Sequence, residues 1–216
     1  MKRYLPFVII AAVLAAAIGA GVLMFRSAQP QPSTSPATAI NPVASPGAAT
    51  SKGVVTIEEF GDYQCPPCGS LHPVLKTLKS EYGNRIRFVF YHYPLTSIHK
   101  HALEASYAAA AAGLQGRFWE MHNLLYENQN VWSEVGDFRP IAINFARQIG
   151  LDAQRFTQDM DGLKVMALVS ADTQRANSLG VNSTPTIFID GQLIPHESLT
   201  AENLRKEINQ KLGGAR

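Results

Sequence analysis

The sequence predicts an α/β domain that carries an all-helical insertion. Three patterns predict it: a strand–helix–strand unit over Val54–Tyr91, helical periodicity from about Ile98 to Leu179, and a closing hairpin and helix from Thr186 to Leu212. Val54 to Phe60 is short and β-rich, and the turn residues Gly61 and Asp62 close it. Pro66 to Tyr82 reads as a helix, with Leu71, Val74, Leu75 and Leu78 on one face and Gly83-Asn84 as its stop. Ile86 to Tyr91 is the second strand, and a helix between two strands implies a parallel pairing.

The middle third turns helical. Ala102–Leu114, Phe118–Glu127, Ile141–Ile149 and Leu163–Leu179 are its segments, punctuated by Gly113, Gly116, Gly150 and Gly162. Thr186–Ile189 is then a strand, Asp190-Gly191 a hairpin turn, and Gln192–Ile194 its partner. Leu199–Leu212 is a closing amphipathic helix.

Ahead of this domain, Leu5 to Phe25 runs without a charge, behind Lys2 and Arg3 and before Arg26. As a helix it would span roughly 31 Å, about the thickness of a bilayer's hydrocarbon core. Secretory signals have a shorter apolar stretch followed by a small-x-small site, and here the small residues Ala15 to Ala17 lie inside the run. The segment is therefore read as an N-terminal transmembrane anchor, with a cleaved signal as the alternative. The N-terminal cations place the start in the cytoplasm and the bulk of the chain outside it. Ser27–Lys52 contains Pro30, Pro32, Pro36, Pro42 and Pro46, which remove amide donors and leave a spacer rather than a helix or sheet. The expected organisation is an anchor at 1–26, a Pro/Ser/Ala-rich linker at 27–52, and a domain at 53–213 with its insertion at about 97–180.

Composition narrows the function. The chain has 216 residues, 46% of them hydrophobic, and a formal charge of +2, which excludes a disordered protein and leaves no electrostatic footprint for nucleic acid. Two cysteines are too few for a disulfide-stapled scaffold. Both sit in Cys65-Pro66-Pro67-Cys68, where the first strand hands over to the first helix. A cysteine there faces unpaired amides and the positive end of the helix dipole, both of which favour thiolate over thiol. Spacing i, i+3 lets a disulfide close on one helical turn. Haem attachment wants His directly after the second Cys, where Gly69 stands, and a zinc site would need ligands beyond the pair. His72 could be one such ligand, but reads better as a surface residue of the helix. Redox exchange is the preferred chemistry, with Cys65 the exposed nucleophile and Cys68 the buried resolving thiol. No nucleotide, flavin or metal is implied.

Phe60-Gly61-Asp62-Tyr63-Gln64-Cys65-Pro66-Pro67-Cys68, Tyr93-Pro94-Leu95, Gly116-Arg117-Phe118-Trp119-Glu120-Met121 and Gly180-Val181-Asn182-Ser183-Thr184-Pro185-Thr186 together resemble the DsbA-like branch of the thioredoxin superfamily. The resemblance covers about Gly53 to Leu212. It implies a thioredoxin-like fold and a thiol–disulfide oxidoreductase acting on reduced exported proteins, recycled by a quinone-linked membrane oxidase of the DsbB or VKOR type. It also implies a cis proline at Pro185, with the Thr184 backbone turned toward substrate. Glu59 matches a partly buried acid beneath the cysteines, a proton relay for Cys68, with Glu58 as the competing candidate, since neighbouring strand residues face opposite sides. The chain departs from the most oxidising relatives at Pro67, where they carry His. Pro66-Pro67 also removes an amide from the thiolate's surroundings, so a less oxidising couple is expected, with a thiolate pKa between about 3.5 and ~7. The rival functions are a tethered reductase or isomerase and a redox-inactive chaperone on the same scaffold. Tyr91, His92 and Tyr93 would pack or line a peptide groove. His99, His101 and His122 read as polar helix-face residues, Ala108–Ala112 as close helix packing, and Phe118, Trp119 and Met121 as the insertion's core.

Overall fold

The computed structural model describes residues 53–214. The predicted anchor and the whole of the linker lie outside the described residues, among which no helix is long and apolar enough to cross a membrane.

The central sheet is built from β1 (Val55–Gly61), β2 (Ile86–His92), β3 (Thr186–Ile189) and β4 (Gln192–Ile194), in the order β2-β1-β3-β4. β1 pairs with β2 in parallel, Glu59 opposite Phe90, and with β3 antiparallel, Glu59 opposite Ile187. The parallel pair needs a crossover, which α1 (Pro66–Tyr82) supplies. Pro66 and Pro67 open α1, where missing amides are tolerated, and Gly83 closes it at φ 54°. The β3–β4 turn has Asp190 at φ 47° and Gly191 at φ 77°, the two positive values that a two-residue hairpin requires. Asp190 also fastens this turn to β1, its Oδ1 accepting from the Thr56 amide at 2.7 Å.

β1 is covered on both faces. Val55 and Ile57 pack with Leu71, Leu75 and Leu78 of α1 and with Leu204 and Ile208 of α8 (Ala201–Gly214). Phe60 packs on the other face with Val89, Tyr91 and Ala176. Between β2 and β3 stand α2 (Ala102–Gly113), α3 (Phe118–Glu127), α4 (Gln129–Trp132), α5 (Arg139–Gln148), α6 (Ala153–Met160) and α7 (Leu163–Ser178). Ala108–Ala112 are all buried, and α2 is the hub against which α3, α6 and α7 pack. The sequence reading missed α4 and α6, both too short for helical periodicity to declare them.

Several histidines depart from expectation. His72 is buried on α1, its ring 5.2 Å from that of His122 and 5.1 Å from that of Tyr126. His101 and His122 are buried as well, and His122 Nδ1 lies 3.1 Å from the Tyr63 hydroxyl. These side chains look outward only on an isolated helix; the insertion folds back over them. Phe118 and Met121 are buried, whereas Trp119 is half-buried beneath the Lys79 ammonium, 4.1 Å above its ring. Tyr91 stacks on Phe60 at 4.8 Å, and Tyr93 donates to the Val181 carbonyl, so both serve packing.

Candidate active site

Cys65 is the cap residue of α1, in extended geometry (φ −72°, ψ 119°), with its amide donating to the Asp62 carbonyl at 3.1 Å. Pro66 and Pro67 both lack an N–H, so the first amide able to reach the Cys65 sulfur is that of Cys68. A cap side chain accepts from the second and third residues of its helix, so Pro67 removes one donor, the one the sequence reading expects, and Cys68 keeps the other. The Thr184–Pro185 bond is cis, and the Thr184 carbonyl accepts from the Cys65 thiol at 3.4 Å. Cys65 is only 5% exposed, contrary to the expectation of an open nucleophile, because the 183–185 loop and α4 close around it. Cys68 is wholly enclosed.

The two sulfurs are unequal. The Cys68 thiol, then contact with Thr184 and the Cys68 amide, pull Cys65 down from 9.0 to about 6, against burial and the Asp62 charge. Burial first, then the hydrogen bond with Cys65 and the Glu59 and Cys65 charges, push Cys68 well up. Glu59 lies on the α1 side of β1, two residues beyond Ile57, and is 2% exposed. Burial, reinforced by Cys65, raises its carboxyl from 4.5 to about 8, and its Oε1 has no hydrogen-bond partner. Glu58 faces α7, where Arg175 holds it at 2.7 Å. Both faces of β1 are interior, so the two acids differ by having a cation or lacking one, not by pointing in or out.

The loop leading into Cys65 is gripped by the insertion. Gln129 of α4 donates through Nε2 to the carbonyls of Tyr63 (2.7 Å) and Cys65 (2.9 Å). Gly69 permits that approach, since a Cβ there would lie 2.5 Å from Gln129 Oε1. Gln64 accepts from the His101 amide at 2.6 Å and donates to the Ser133 carbonyl at 2.8 Å. Asp62, fully buried, accepts from the Gln64 and Leu95 amides and from His99. Sequence reasoning passed over Asp62, Gln64 and Gln129. Only Asp62 left a local sign, an Asx turn two residues before Gln64. Among the described residues, no group of three or more His, Cys, Asp or Glu side chains is placed to hold a metal ion.

The βαβ unit, the antiparallel hairpin, the cysteine pair at the helix start and the cis proline facing it define a thioredoxin-fold domain with a helical insertion. Residues 48–210 match the family described as Thioredoxin, and the chain belongs to that family. Among solved structures, a thioredoxin-like oxidoreductase from Silicibacter pomeroyi DSS-3 is similar at 25% identity and a TM-score of 0.62, over 76% of this chain and 90% of that one. Oxidised BdbD from Bacillus subtilis shares the fold at 19% identity and a TM-score of 0.67, over 76% and 91%. A curated relative, the Na(+)/H(+) antiporter NhaA 1 of Salinispora arenicola, is 36% identical over 163 residues, 75% of this chain but 24% of the antiporter. The chain thus spans about a quarter of that antiporter's length, and the match leaves most of it without a counterpart here.

Proposed function

We propose that this protein is a thiol–disulfide oxidoreductase that introduces disulfides into exported proteins, tethered by its N-terminal apolar segment with the catalytic domain outside the cytoplasm. The inequality of the two sulfurs carries the reading: one thiol is poised to ionise near neutral pH while its partner, one turn on, is held as a thiol. The S. pomeroyi relative, described as an oxidoreductase, supports it.

A substrate thiolate attacks the Cys65 sulfur of the Cys65–Cys68 disulfide, and the electron pair of the broken bond leaves on Cys68. Glu59, protonated at neutral pH, gives Cys68 its proton. A second substrate thiolate then attacks the substrate sulfur of the mixed disulfide, and Cys65 departs as a thiolate, a good leaving group at about 6. The substrate loses two electrons and two protons and gains a disulfide; the enzyme is left as the dithiol. A membrane oxidase passing the two electrons to a quinone would restore it. The Thr184 carbonyl faces Cys65, and a cleft of about 180 Å³ beside Pro185, lined by Val181, Ser183, Phe188 and Leu193, offers an extended peptide a seat.

Alkylation of the reduced protein across pH tests this directly. Cys65 should be half-reactive near pH 6 with Cys68 silent, and Cys68→Ala should accumulate mixed disulfides through Cys65. A leading thiol no more reactive than free cysteine refutes the proposal. A second reading, electron flow in the reducing direction, is favoured by the missing Pro67 amide above the sulfur. A reduction potential near −270 mV would support it, and one near −120 mV supports oxidation.

A further inference from the structure

Asp62 is a fully buried acid three residues before the nucleophile, and it opposes ionisation of the Cys65 sulfur. Its Oδ1 accepts from the Gln64 amide at 2.8 Å, and its Oδ2 from the Leu95 amide at 2.9 Å and from His99 Nδ1 at 2.7 Å. A carboxylate can only accept, so Nδ1 carries the hydrogen in this contact. The two amides belong to fixed backbone. His99 is the one side chain of the three, and it comes from the connection that leads β2 into the insertion. Neighbouring groups turn elsewhere: Lys100 donates to the Gly136 carbonyl, and the His101 ring meets the Val135 carbonyl at 2.8 Å and Glu104 at 3.9 Å. The charged and titratable groups acting on the Cys65 sulfur are Cys68 and Asp62, with Glu59 buried beneath and coupled to it.

We propose that Asp62 and His99 form a positioning pair for the nucleophile, in which His99 draws the Asp62 charge away from the Cys65 sulfur and so sets how oxidising the disulfide is. The inference rests on the exchange reading above. An acid in this place defeats the purpose of a thiolate site unless it is answered, and His99 answers it through a contact shorter than either amide's. The same carboxylate ties the nucleophile's loop to Leu95, so the charge and the geometry of Cys65 are governed from one point. The insertion thereby acts on the chemistry through His99 without touching the sulfur.

The test is an ultraviolet thiolate titration of the reduced full chain, paired with its equilibrium against glutathione. Variants are His99→Leu, His99→Asn, Asp62→Asn and the Asp62→Asn/His99→Leu double. His99→Leu should raise the Cys65 midpoint by about half to one pH unit, and make the disulfide about three- to tenfold less oxidising. His99→Asn, whose amide can occupy the Nδ1 position, should recover most of that shift. Asp62→Asn should move the midpoint the opposite way, and in its background His99→Leu should do nothing. Shifts of the same sign from both single variants, or a full His99→Leu effect in the double, overturn the proposal by showing a simple clamp. Should Asp62→Asn not fold, equal shifts from His99→Leu and His99→Asn overturn it instead. A wild-type sulfur titrating like free cysteine sinks the exchange reading itself; a lowered wild-type midpoint with unmoved variants sinks only the pair.

Discussion

Replacing Glu59 by Gln isolates the free energy of holding an acid beneath the cysteine pair. The carboxyl is raised from 4.5 to about 8, chiefly by burial. The unfolded chain ionises it above 4.5, whereas the folded chain keeps its proton until about 8, so folding takes up a proton between these limits. A raised pKa contributes stability at low pH that is lost as pH rises toward the folded value. At ~1.4 kcal/mol per pH unit, the loss is about 1 kcal/mol at pH 5 and about 3 kcal/mol at pH 7. Glu59→Gln replaces one neutral polar group by another at low pH, so the two proteins should be of similar stability there. The variant should then gain on the wild type by about 2–3 kcal/mol between pH 5 and 7. Urea denaturation of the disulfide form across that range reads this without thiol titration, and burial, the larger cause, persists when Cys65 carries no charge. Parallel pH curves for the two proteins would refute the argument. In thiol exchange the same variant should slow the release of Cys68, since the proton donor is gone.

Two further outcomes follow from the surroundings of the site. Burial lowers His92 from 6.5 to about 3, so the folded protein refuses a proton that the unfolded chain accepts. Stability is therefore lost as pH falls from 6.5 toward 3, by on the order of 5 kcal/mol in full. His92→Phe, placed among Phe90, Phe118 and Tyr63, should flatten that acid limb in urea titrations. Gln129→Ala leaves the Tyr63 and Cys65 carbonyls without their side-chain donor and should lower the unfolding free energy by about 1–3 kcal/mol. It should also slow reduction of the disulfide by a model dithiol, because the loop carrying Cys65 is no longer held from α4.

Much of the fold is legible in the chain because its signals are local. Pro66 to Tyr82 reads as a helix and is one, with Gly83 supplying the positive φ that ends it. Asp190-Gly191 reads as a hairpin turn because few other residue pairs accept positive φ at both positions. The cysteine pair is equally plain, since its spacing and its place before a helix lie within a few residues of each other. Glu59 and Glu58 could be separated from one another by alternation, but not by environment. Arg175, which decides it, stands 117 residues away.

The sequence by itself determined the α/β order, the redox-capable pair and its place at a helix start, because strand alternation, helical period and turn chemistry act over short spans. Tertiary structure alone decided the state of each group at the site. It enclosed Cys65, buried His72, His101 and His122, and brought Gln129 and His99 from the insertion to the nucleophile's loop. The physical reason is that ionisation and hydrogen bonding respond to distance in space and to the exclusion of water, and neither quantity is written in residue spacing.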